Sequence, residues 1–401
     1  PTQHWGRLSS LWRPEVPPIR RGGGAIRDSI LPADTGFWTG RLRASCPIVI
    51  DSIQSTAAAM ESSRRVDREG AMLKILAVAG VGALAWGAAR RYRNVSAVHP
   101  ELRVNALWAS FSIGSPVELA IVGRMNAVAT KPVDGVTIEQ HHIPGGEDVF
   151  VYVPEQGERP WAALLWVHGG GLVSGAPEHG HESCSRAARD LGIMVVNARY
   201  RLAPEHPFPA AMDDLTAALR WLVSSAGALG IDPELVAVGG SSAGGGLAAG
   251  LAQRAHDEGL RLAFQVLVYP MLDDRTVKTP DVPSKGRLVW TARSNRFGWS
   301  SYLGHPAGEG ESRPYCVPAR REDLTGLAPA WIGVGDLDLF HDEDLAYAAR
   351  LRDADVPVQV YEQTGMYHAG DVLTPVTNTI GSAFRQSWYD ALRLRCERVP
   401  N

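Results

Sequence analysis

The sequence predicts an α/β protein built on a mostly parallel, doubly wound sheet. Short apolar segments alternate with helix-forming segments along most of the chain, a pattern that produces parallel strands joined by crossover helices. Glycine-rich turns directly follow two of these apolar segments, at 168–171 and 240–244. Parallel sheets carry their sites at the carboxyl ends of strands, so these two turns are expected to lie at the functional edge.

The predicted elements begin with a helix over 102–129 and a hairpin whose strands flank the Pro-Gly-Gly turn at 144–146. Ala211, Leu215, Ala218, Leu219 and Leu222 share one face of a later helix, and another helix follows over 247–256. The predicted strands are 136–143, 149–153, 162–167, 193–196, 235–238, 264–269, 330–334 and 358–361. From about residue 96 to 401 these elements form one domain.

The first 95 residues differ from the rest. Residues 1–71 are rich in Arg, Pro, Gly and Ser without a sustained period, so we expect a disordered segment or sequence upstream of the native start, with Met60 and Met72 as candidate starts. Within 72–95, the apolar run 75–89 is shorter than the roughly 20 residues of a spanning helix. A membrane tether, an export signal and a buried or amphipathic lead-in helix all fit this run.

Composition favours a soluble, cytoplasmic protein that acts on a small molecule, with membrane association or export through 72–93 as the alternative. The formal net charge is −3, which gives no global field for nucleic acid. The four cysteines (Cys46, Cys184, Cys316 and Cys396) are far apart and form no CxxC pair. This spacing disfavours structural zinc and a disulfide framework, and we expect reduced, buried thiols.

The strongest chemical signal is the Gly-Ser-Ser-Ala-Gly segment at 240–244. It follows the strand 235–238 and precedes a helix, which is the strand–turn–helix context of a nucleophile elbow. Ser242 is flanked on both sides by glycine two residues away, where a side chain would collide with neighbouring backbone. At the start of a helix, developing negative charge near Ser242 would be stabilised by free N–H groups and the helix dipole.

A second signal is the His-Gly-Gly-Gly segment at 168–171, which also follows a strand. Consecutive glycines allow backbone N–H groups to approach a substrate oxygen closely, as an oxyanion hole requires. A phosphate-binding loop is disfavoured because neither the Lys-Ser/Thr of a P-loop nor a GxGxxG spacing is present.

A nucleophilic serine needs a base that is oriented by an acid, and in this sheet architecture the chain order is serine, acid, histidine. His305, His341 and His368 follow Ser242. No predicted strand directly precedes His305, His341 lies within the acid-rich loop itself, and His368 follows the last predicted strand through a short loop, so His368 is the expected base. The acid is expected in the loop after the strand 330–334. There the residues alone leave Asp336 and Asp338 open, while Asp342 suits a helix N-terminus.

Residues 135–395 resemble the hormone-sensitive-lipase-like family of bacterial carboxylesterases. The resemblance rests on four motifs in order: HGGG at 168–171, YRLAPEHPFP at 200–209, GSSAGG at 240–245 and DLFHDE at 338–343. It implies the α/β-hydrolase fold with a helical cap, here from about 100–129 and 275–313. It also implies Asp338 as the acid, oxyanion donors at Gly170, Gly171 and Ala243, loop support from His168 and Gly169, and no metal or cofactor.

The chain departs from the family pattern at three places. Ser241 stands where the family usually has an acidic residue, Gly246 where it has Asn, and Ala369-Gly370 where Gly-Phe often follows the catalytic histidine. These positions affect loop support and the pocket rim. In the second cap segment, Trp290, Phe297, Trp299 and Tyr302 are candidates either to line an acyl pocket or to pack the cap core.

The resulting hypothesis is a serine esterase with Ser242, Asp338 and His368 as its triad, which hydrolyses short- to medium-chain carboxylic esters. A lipase, an amidase or a deacetylase on the same scaffold is the first alternative. The second is a ligand-binding relative without catalysis, which the presence of His368 disfavours.

Overall fold

The computed structural model describes residues 95–396, except 107–111, 126–128, 158, 281, 283 and 374–377, and a few isolated earlier positions. The described fold lies within one compact unit, Ala83–Asn401. The predicted segment 1–71, the candidate starts and nearly all of 72–95 lie outside the described residues. Where the chain is described, no helix has both the length and the apolar character needed to cross a membrane.

Eight strands form a single sheet in the order β1-β2-β4-β3-β5-β6-β7-β8. The first strands, β1 and β2, pair antiparallel, β2 also runs antiparallel to β4, and all other neighbours are parallel. The strands are β1 (Val136–His141), β2 (Val149–Pro154), β3 (Trp161–Val167), β4 (Met194–Ala198), β5 (Ile231–Ser241), β6 (Phe264–Val268), β7 (Ala330–Gly335) and β8 (Val358–Gln363). The predicted mostly parallel sheet and its opening hairpin are therefore confirmed.

Helices connect the parallel strands and lie on both faces of the sheet. They are α1 (Arg103–Ala106), α2 (Pro116–Met125), α3 (His181–Leu191), α4 (Ala210–Ser224), α5 (Ala226–Leu229), α6 (Ala243–Asp257), α7 (Ala292–Leu303), α8 (His341–Asp353) and α9 (Thr379–Cys396). Short 3₁₀ turns occur at Pro100–Leu102, Pro177–Gly180, Asp274–Lys278 and Pro318–Arg320.

The sheet separates two apolar cores because successive strand residues point to opposite faces. In β3, Leu165 and Val167 belong to the core covered by α4, α6 and α8, whereas Leu164 belongs to the core covered by α3 and α9. These strand residues are fully buried. Burial on both faces explains why the central strands read as continuous apolar runs without alternation.

The helix predicted over 102–129 is wrong as a single element. A 3₁₀ turn and α1 end at Ala106, residues 112–115 lie outside any helix, and α2 then begins at Pro116. Proline disfavours the helical conformation in the preceding residue and suits the first helical position. Ser115 Oγ accepts the Glu118 N–H at 3.3 Å, and Glu118 Oε2 accepts the Gly114 N–H at 2.8 Å. This capping arrangement fixes the start of α2.

The segment 275–313 is more regular than its sequence suggests, because it contains the twelve-residue helix α7. Thr291 caps α7 through its hydroxyl, which accepts the Ser294 N–H, and Gly304 ends it in the left-handed conformation with φ of 75°. Few apolar residues recur at helical spacing in α7, so the sequence pattern alone gave no helix signal there.

Candidate active site

Ser242 lies at a sharp turn between β5 and α6. Its φ of 58° and ψ of −124° are strained for a residue with a side chain, and its N–H donates to Val268 O at 2.9 Å. A Cβ on Gly240 would lie 2.4 Å from Gly244 O, and one on Gly244 would lie 2.1 Å from Val167 O. The predicted requirement for glycine on both sides of Ser242 is confirmed.

Ser242, His368 and Asp338 form a continuous hydrogen-bonded chain. His368 Nε2 lies 2.8 Å from Ser242 Oγ, and His368 Nδ1 lies 2.8 Å from Asp338 Oδ2. Asp338 is fully buried and His368 is only 4% exposed. The Phe340 N–H donates to the second carboxylate oxygen, Asp338 Oδ1, at 3.0 Å, which fixes the orientation of the acid. The geometry suits a serine activated by an oriented imidazole.

Asp336 and Asp338 leave the same strand end but contact different groups. Asp336 Oδ1 accepts the Gly365 N–H at 2.7 Å, so it joins the loop after β7 to the loop that carries His368. The Leu337 N–H adds a second link to Met366 O at 3.1 Å. Of these two aspartates, only Asp338 reaches the imidazole, and Asp336 holds the two loops together.

Aromatic rings enclose the imidazole of His368. Tyr269 packs edge-on against it with a centroid distance of 4.9 Å, and Phe340 does so at 5.2 Å. Both aromatic residues are buried. They restrict rotation of the ring and exclude water from the His368–Asp338 contact. Neither residue was singled out from the sequence, although Phe340 lies inside the DLFHDE motif.

The structure does not bring the other candidate histidines and acids to Ser242. His305 Nε2 pairs with Glu311 at 3.0 Å, and His341 Nε2 pairs with Glu362 at 3.0 Å. Asp342 forms an ion pair with Lys285 at 2.6 Å. These contacts are structural, as expected for Asp342 at the start of α8.

Two further acidic residues of α8 are buried. Glu343 accepts the N–H groups of Leu272 and Asp273 at 2.7 and 3.1 Å, which ties the segment after β6 to α8. Asp344 is fully buried, and within the described part of the chain neither of its carboxylate oxygens has a hydrogen-bond partner. Burial raises the pKa of both carboxyls well above the usual range, and for Asp344 the neighbouring acids add to the effect.

The HGGG loop follows β3, the neighbour of β5, and so lies beside Ser242. Gly170 has a φ of 133° and Gly171 a φ of 64°, which turn the chain sharply. Ser174 holds the turn, because its N–H and its hydroxyl both donate to Gly170 O, at 3.0 and 2.8 Å. Ala243 is the first residue of α6, where a backbone N–H has no partner inside the helix.

His168 and Tyr200 support this loop from beneath. Their rings stack with a centroid distance of 4.3 Å, and the Tyr200 hydroxyl donates to His168 O at 2.8 Å. Burial lowers the pKa of His168 to about 4, so the ring is neutral at physiological pH. Arg201 anchors the same motif through Asp214, with Nη2 2.8 Å from Oδ1. Tyr200, which the YRLAPEHPFP motif contains without an evident role, therefore has a structural role beneath the HGGG loop.

The departure at position 246 has a steric reason. A Cβ on Gly246 would lie 2.0 Å from Met271 O. The N–H groups of Gly246 and Met271 both donate to Ser242 O, at 3.1 and 3.0 Å. The segment at Met271 therefore approaches α6 so closely that this chain requires glycine where the family pattern has Asn.

The aromatic residues of 275–313 divide into two groups. Trp299 and Tyr302 are almost fully buried and pack in the core, where Tyr302 contacts Phe208 edge-on at 5.7 Å. Trp290 instead covers the HGGG loop, since a Cβ on Gly171 would lie 1.9 Å from its indole ring. Trp290 is the aromatic residue of this segment that borders the loop next to Ser242.

Among the described residues, no group of three or more His, Cys, Asp or Glu side chains is arranged to hold a metal ion. Cys184 and Cys316 are buried free thiols. Burial raises the pKa of the Cys184 thiol to about 12, which makes it unreactive. Cys46 lies outside the described residues, and the side chain of Cys396 does as well.

Known proteins resemble this chain in sequence and in fold. A protein family described by its alpha/beta hydrolase fold matches residues 164–370. The esterase LipI of Mycobacterium tuberculosis is 34% identical over 277 residues, which cover 68% of this chain and 76% of LipI. An ethyl acetate hydrolase of Pseudomonas putida is 36% identical over 237 residues, which cover 58% of this chain and 72% of the hydrolase.

Solved structures agree with these relatives. A bacterial heroin esterase superimposes with a TM-score of 0.69 at 33% identity and covers 76% of this chain and 99% of its own. The esterase LipW of Mycobacterium marinum does so with a TM-score of 0.66 at 30% identity, with coverage of 75% and 96%. Fold, motifs and relatives agree: this chain belongs to the hormone-sensitive-lipase-like family of α/β-hydrolase carboxylesterases and is a carboxylic ester hydrolase.

Proposed function

We propose that Ser242, His368 and Asp338 form the catalytic triad, and that the protein hydrolyses short- to medium-chain esters through an acyl-enzyme. The observation that carries this proposal is the pair of 2.8 Å contacts that link Ser242 Oγ, the His368 ring and the Asp338 carboxylate. The positive φ of Ser242 supports it, because such strain is typical of a nucleophile held out at a turn.

In the first half-reaction, Ser242 Oγ attacks the ester carbonyl carbon while His368 Nε2 takes the hydroxyl proton. Asp338 holds the imidazole in place and stabilises its protonated form. The carbonyl oxygen becomes an oxyanion, which the N–H groups of Gly170, Gly171 and Ala243 stabilise with the dipole of α6. The tetrahedral intermediate then expels the alcohol, which receives its proton from His368.

In the second half-reaction, water attacks the acyl-Ser242 ester. His368 takes a proton from this water, and the same N–H groups stabilise the second oxyanion. Collapse of this intermediate releases the carboxylic acid and returns the proton to Ser242 Oγ. No step requires a group other than these side chains, the backbone donors and water.

The preference for shorter acyl chains is supported by the segment that covers the loop at Gly171. Trp290 lies against Gly171, and α7 approaches so closely that a Cβ on Gly298 would be 2.5 Å from Gly171 O. Rigid groups this close to the HGGG loop limit the space beside the reacting carbonyl. We expect turnover to peak at short acyl chains.

We further propose that residues 96–401 form the hydrolase domain, and that the segments near 100–129 and 275–313 form its cap. Contacts between the two segments support the cap. Arg293 Nη1 lies 2.8 Å from Glu118 Oε1, and the Ile113 N–H donates to Ser294 Oγ at 2.9 Å. Gly298 and Trp290 link the second segment to the loop at Gly171.

Hydrolysis of p-nitrophenyl esters of graded acyl length, by wild type and by Ser242→Ala, tests the proposal. Wild-type turnover that is highest on short chains and is lost in the variant is the expected result. A maximum on long chains would identify a lipase, and turnover that survives in the variant would exclude Ser242 as the nucleophile. Folded wild-type protein without activity would favour the ligand-binding alternative.

The acid is tested by comparing Asp338→Asn with Asp336→Asn, a matched pair from one loop. Asp338→Asn should lower kcat on the order of 10⁴-fold, because the imidazole loses the charge that orients and stabilises it. Asp336→Asn should chiefly lower the melting temperature, because the Gly365 N–H loses its charged acceptor. The reverse order of activities would assign the acid to Asp336.

A further inference from the structure

A cavity of about 310 Å³, here called the α3–α9 cavity, lies close to Ser242 on the face of the sheet covered by α3 and α9. Gly169, Ser241 and Tyr269 line its inner end. A Cβ built on Gly169 would lie 3.3 Å from Ser242 Cβ, and Tyr269 packs against the His368 ring. The inner wall of the cavity is therefore made by residues in contact with both Ser242 and His368.

Two arginines also line the cavity, and they differ in their pairing. Arg186 forms an ion pair with Glu182 at 2.8 Å, so its charge is compensated. Arg385, on α9, is half-buried, and the structure gives it no ion pair with any described residue. Its guanidinium donates to Ser382 Oγ at 3.3 Å. A half-buried guanidinium without an ion pair favours a bound carboxylate.

Asp371 is the acidic residue of the wall whose charge acts on Arg385. It is 9% exposed, and burial raises the pKa of its carboxyl, while Arg385 acts in the opposite direction. The Asp371 carboxyl also adds to the effect of burial in raising the pKa of Tyr269. No ion pair joins Asp371 and Arg385 in the described part of the chain, so this carboxyl compensates the charge of Arg385 only in part.

Ser241 makes the inner end of the cavity neutral. The family pattern usually has an acidic residue at this position, next to the nucleophile, and an acidic side chain there would repel an anionic group in the cavity. A Cβ on Gly169 would lie 3.4 Å from Ser241 Oγ, so the serine hydroxyl forms part of the wall nearest to Ser242. The neutral side chain at position 241 and the only partly compensated charge of Arg385 thus favour the same kind of ligand.

Aromatic side chains supply the rest of the fit. Trp388 and Tyr389 line the cavity, and Trp388 stacks on Trp166 with a centroid distance of 5.7 Å. Flat, apolar walls of this kind suit an aromatic ring, and Arg385 in the same lining suits a carboxylate on that ring.

We propose that this cavity receives the alcohol part of the ester, and that Arg385 selects aryl leaving groups that carry a carboxylate. We assign the cavity to the alcohol side because Tyr269 lines it and packs edge-on against His368, the residue that protonates the leaving alcohol. This inference rests on the proposed function, since it requires His368 to act on the leaving group.

The test compares 4-acetoxybenzoate with its neutral methyl ester, which share the acetyl group and differ in the charge of the leaving group. The readout is the ratio of kcat/KM for the charged over the neutral ester. We expect wild type to favour the charged ester, and Arg385→Gln to lower the ratio about tenfold, the effect expected of a lost partly buried charge pair. Ser241→Asp should lower the ratio as well, because it adds a negative charge at the inner wall.

Two variants serve as controls. Arg385→Lys retains the charge and should keep most of the ratio, and Arg395→Gln removes an exposed charge from the same helix and should leave the ratio unchanged. A ratio that Arg385→Gln does not alter would overturn the proposal. An effect of Arg385 on monomethyl succinate relative to dimethyl succinate, without one on the acetoxybenzoates, would overturn the assignment to the alcohol side.

Failure of the triad proposal is a separate result. Hydrolysis of p-nitrophenyl acetate by Ser242→Ala would exclude the triad, whatever the ratios measured for the Arg385 variants. Loss of that hydrolysis together with an unaltered ratio in Arg385→Gln would retain the triad and exclude the carboxylate subsite.

Discussion

Replacement of Gly246 by alanine should disturb Ser242, the proposed nucleophile, through the segment after β6. The added methyl would lie 2.0 Å from Met271 O, where ordinary contact begins at 3.4 Å. The neighbour is backbone, so the start of α6 or the segment at Met271 has to move. Both elements are joined to Ser242 O, because the N–H groups of Gly246 and Met271 donate to it at 3.1 and 3.0 Å.

The magnitude follows from this geometry. Overpacking of a close-packed site typically costs about 1–3 kcal/mol of unfolding free energy, which is roughly 2–4 °C in Tm for each kcal/mol. A displacement of about 1 Å at a reacting group can cost on the order of 100-fold in rate. We therefore expect Gly246→Ala to lower kcat by about 10- to 100-fold and to melt several degrees below wild type.

The assay measures kcat on p-nitrophenyl acetate and Tm by thermal denaturation. Gly227→Ala is the matched control, because Gly227 lies in α5 and a Cβ there meets nothing within 4 Å. The control should change stability by less than about 1 kcal/mol, in the favourable direction expected for alanine in a helix. Wild-type kcat and Tm in Gly246→Ala would refute the reasoning, because Met271 would then yield without cost.

Three further outcomes are expected. Gly170→Ala should lower kcat on the order of 100- to 1,000-fold with little change in KM. A Cβ at the Gly170 φ of 133° would lie 1.9 Å from Ser174 O, so the loop would have to move and displace a proposed oxyanion donor. The control Gly310→Ala, whose Cβ meets nothing within 4 Å, should leave kcat unchanged. Asp344→Asn should raise the free energy of unfolding by about 1–3 kcal/mol at neutral pH, and this gain should disappear as the pH falls toward 3.8. The reason is that the folded state holds the proton of this buried acid to higher pH than the unfolded state does. An equal gain at all pH values in urea unfolding would contradict this. His168 should titrate near pH 4 in histidine NMR spectra. Its contribution to the free energy of unfolding should be lost as the pH falls from 6.5 toward 4, because the unfolded chain binds this proton first. A His168 resonance that titrates above pH 6 would contradict its burial.

The order of the motifs was sufficient to predict the fold and the position of the site. Alternating apolar strands and helices predicted the parallel sheet, and two glycine-rich turns after strands predicted its functional edge. The collision of side chains at 240 and 244 with neighbouring backbone was predictable, because a strand that turns into a helix leaves no room there. The catalytic roles of Ser242, Asp338 and His368 stay predictions until the variants are measured.

Helix boundaries depended on local chemistry that the apolar pattern does not contain. The break before Pro116 arises from the proline and from the cap formed by Ser115 and Glu118. In α7, Thr291 and Gly304 set the ends of a helix with few apolar residues at helical spacing. Both were visible in the sequence as capping residues, yet hydrophobic periodicity outweighed them in the prediction.

By itself the sequence determined which residue types follow which strands, since that depends only on their order along the chain. The tertiary structure decided which of them meet. Asp336 and Asp338 are two residues apart, and only the packing of the β8 loop places the His368 ring against one and the Gly365 N–H against the other. The α3–α9 cavity likewise brings Arg385 of α9 and Ser241 of β5 into one lining, although these residues are 144 positions apart in the sequence. Contacts across such separations arise from the packing of the whole chain, which local sequence patterns do not encode.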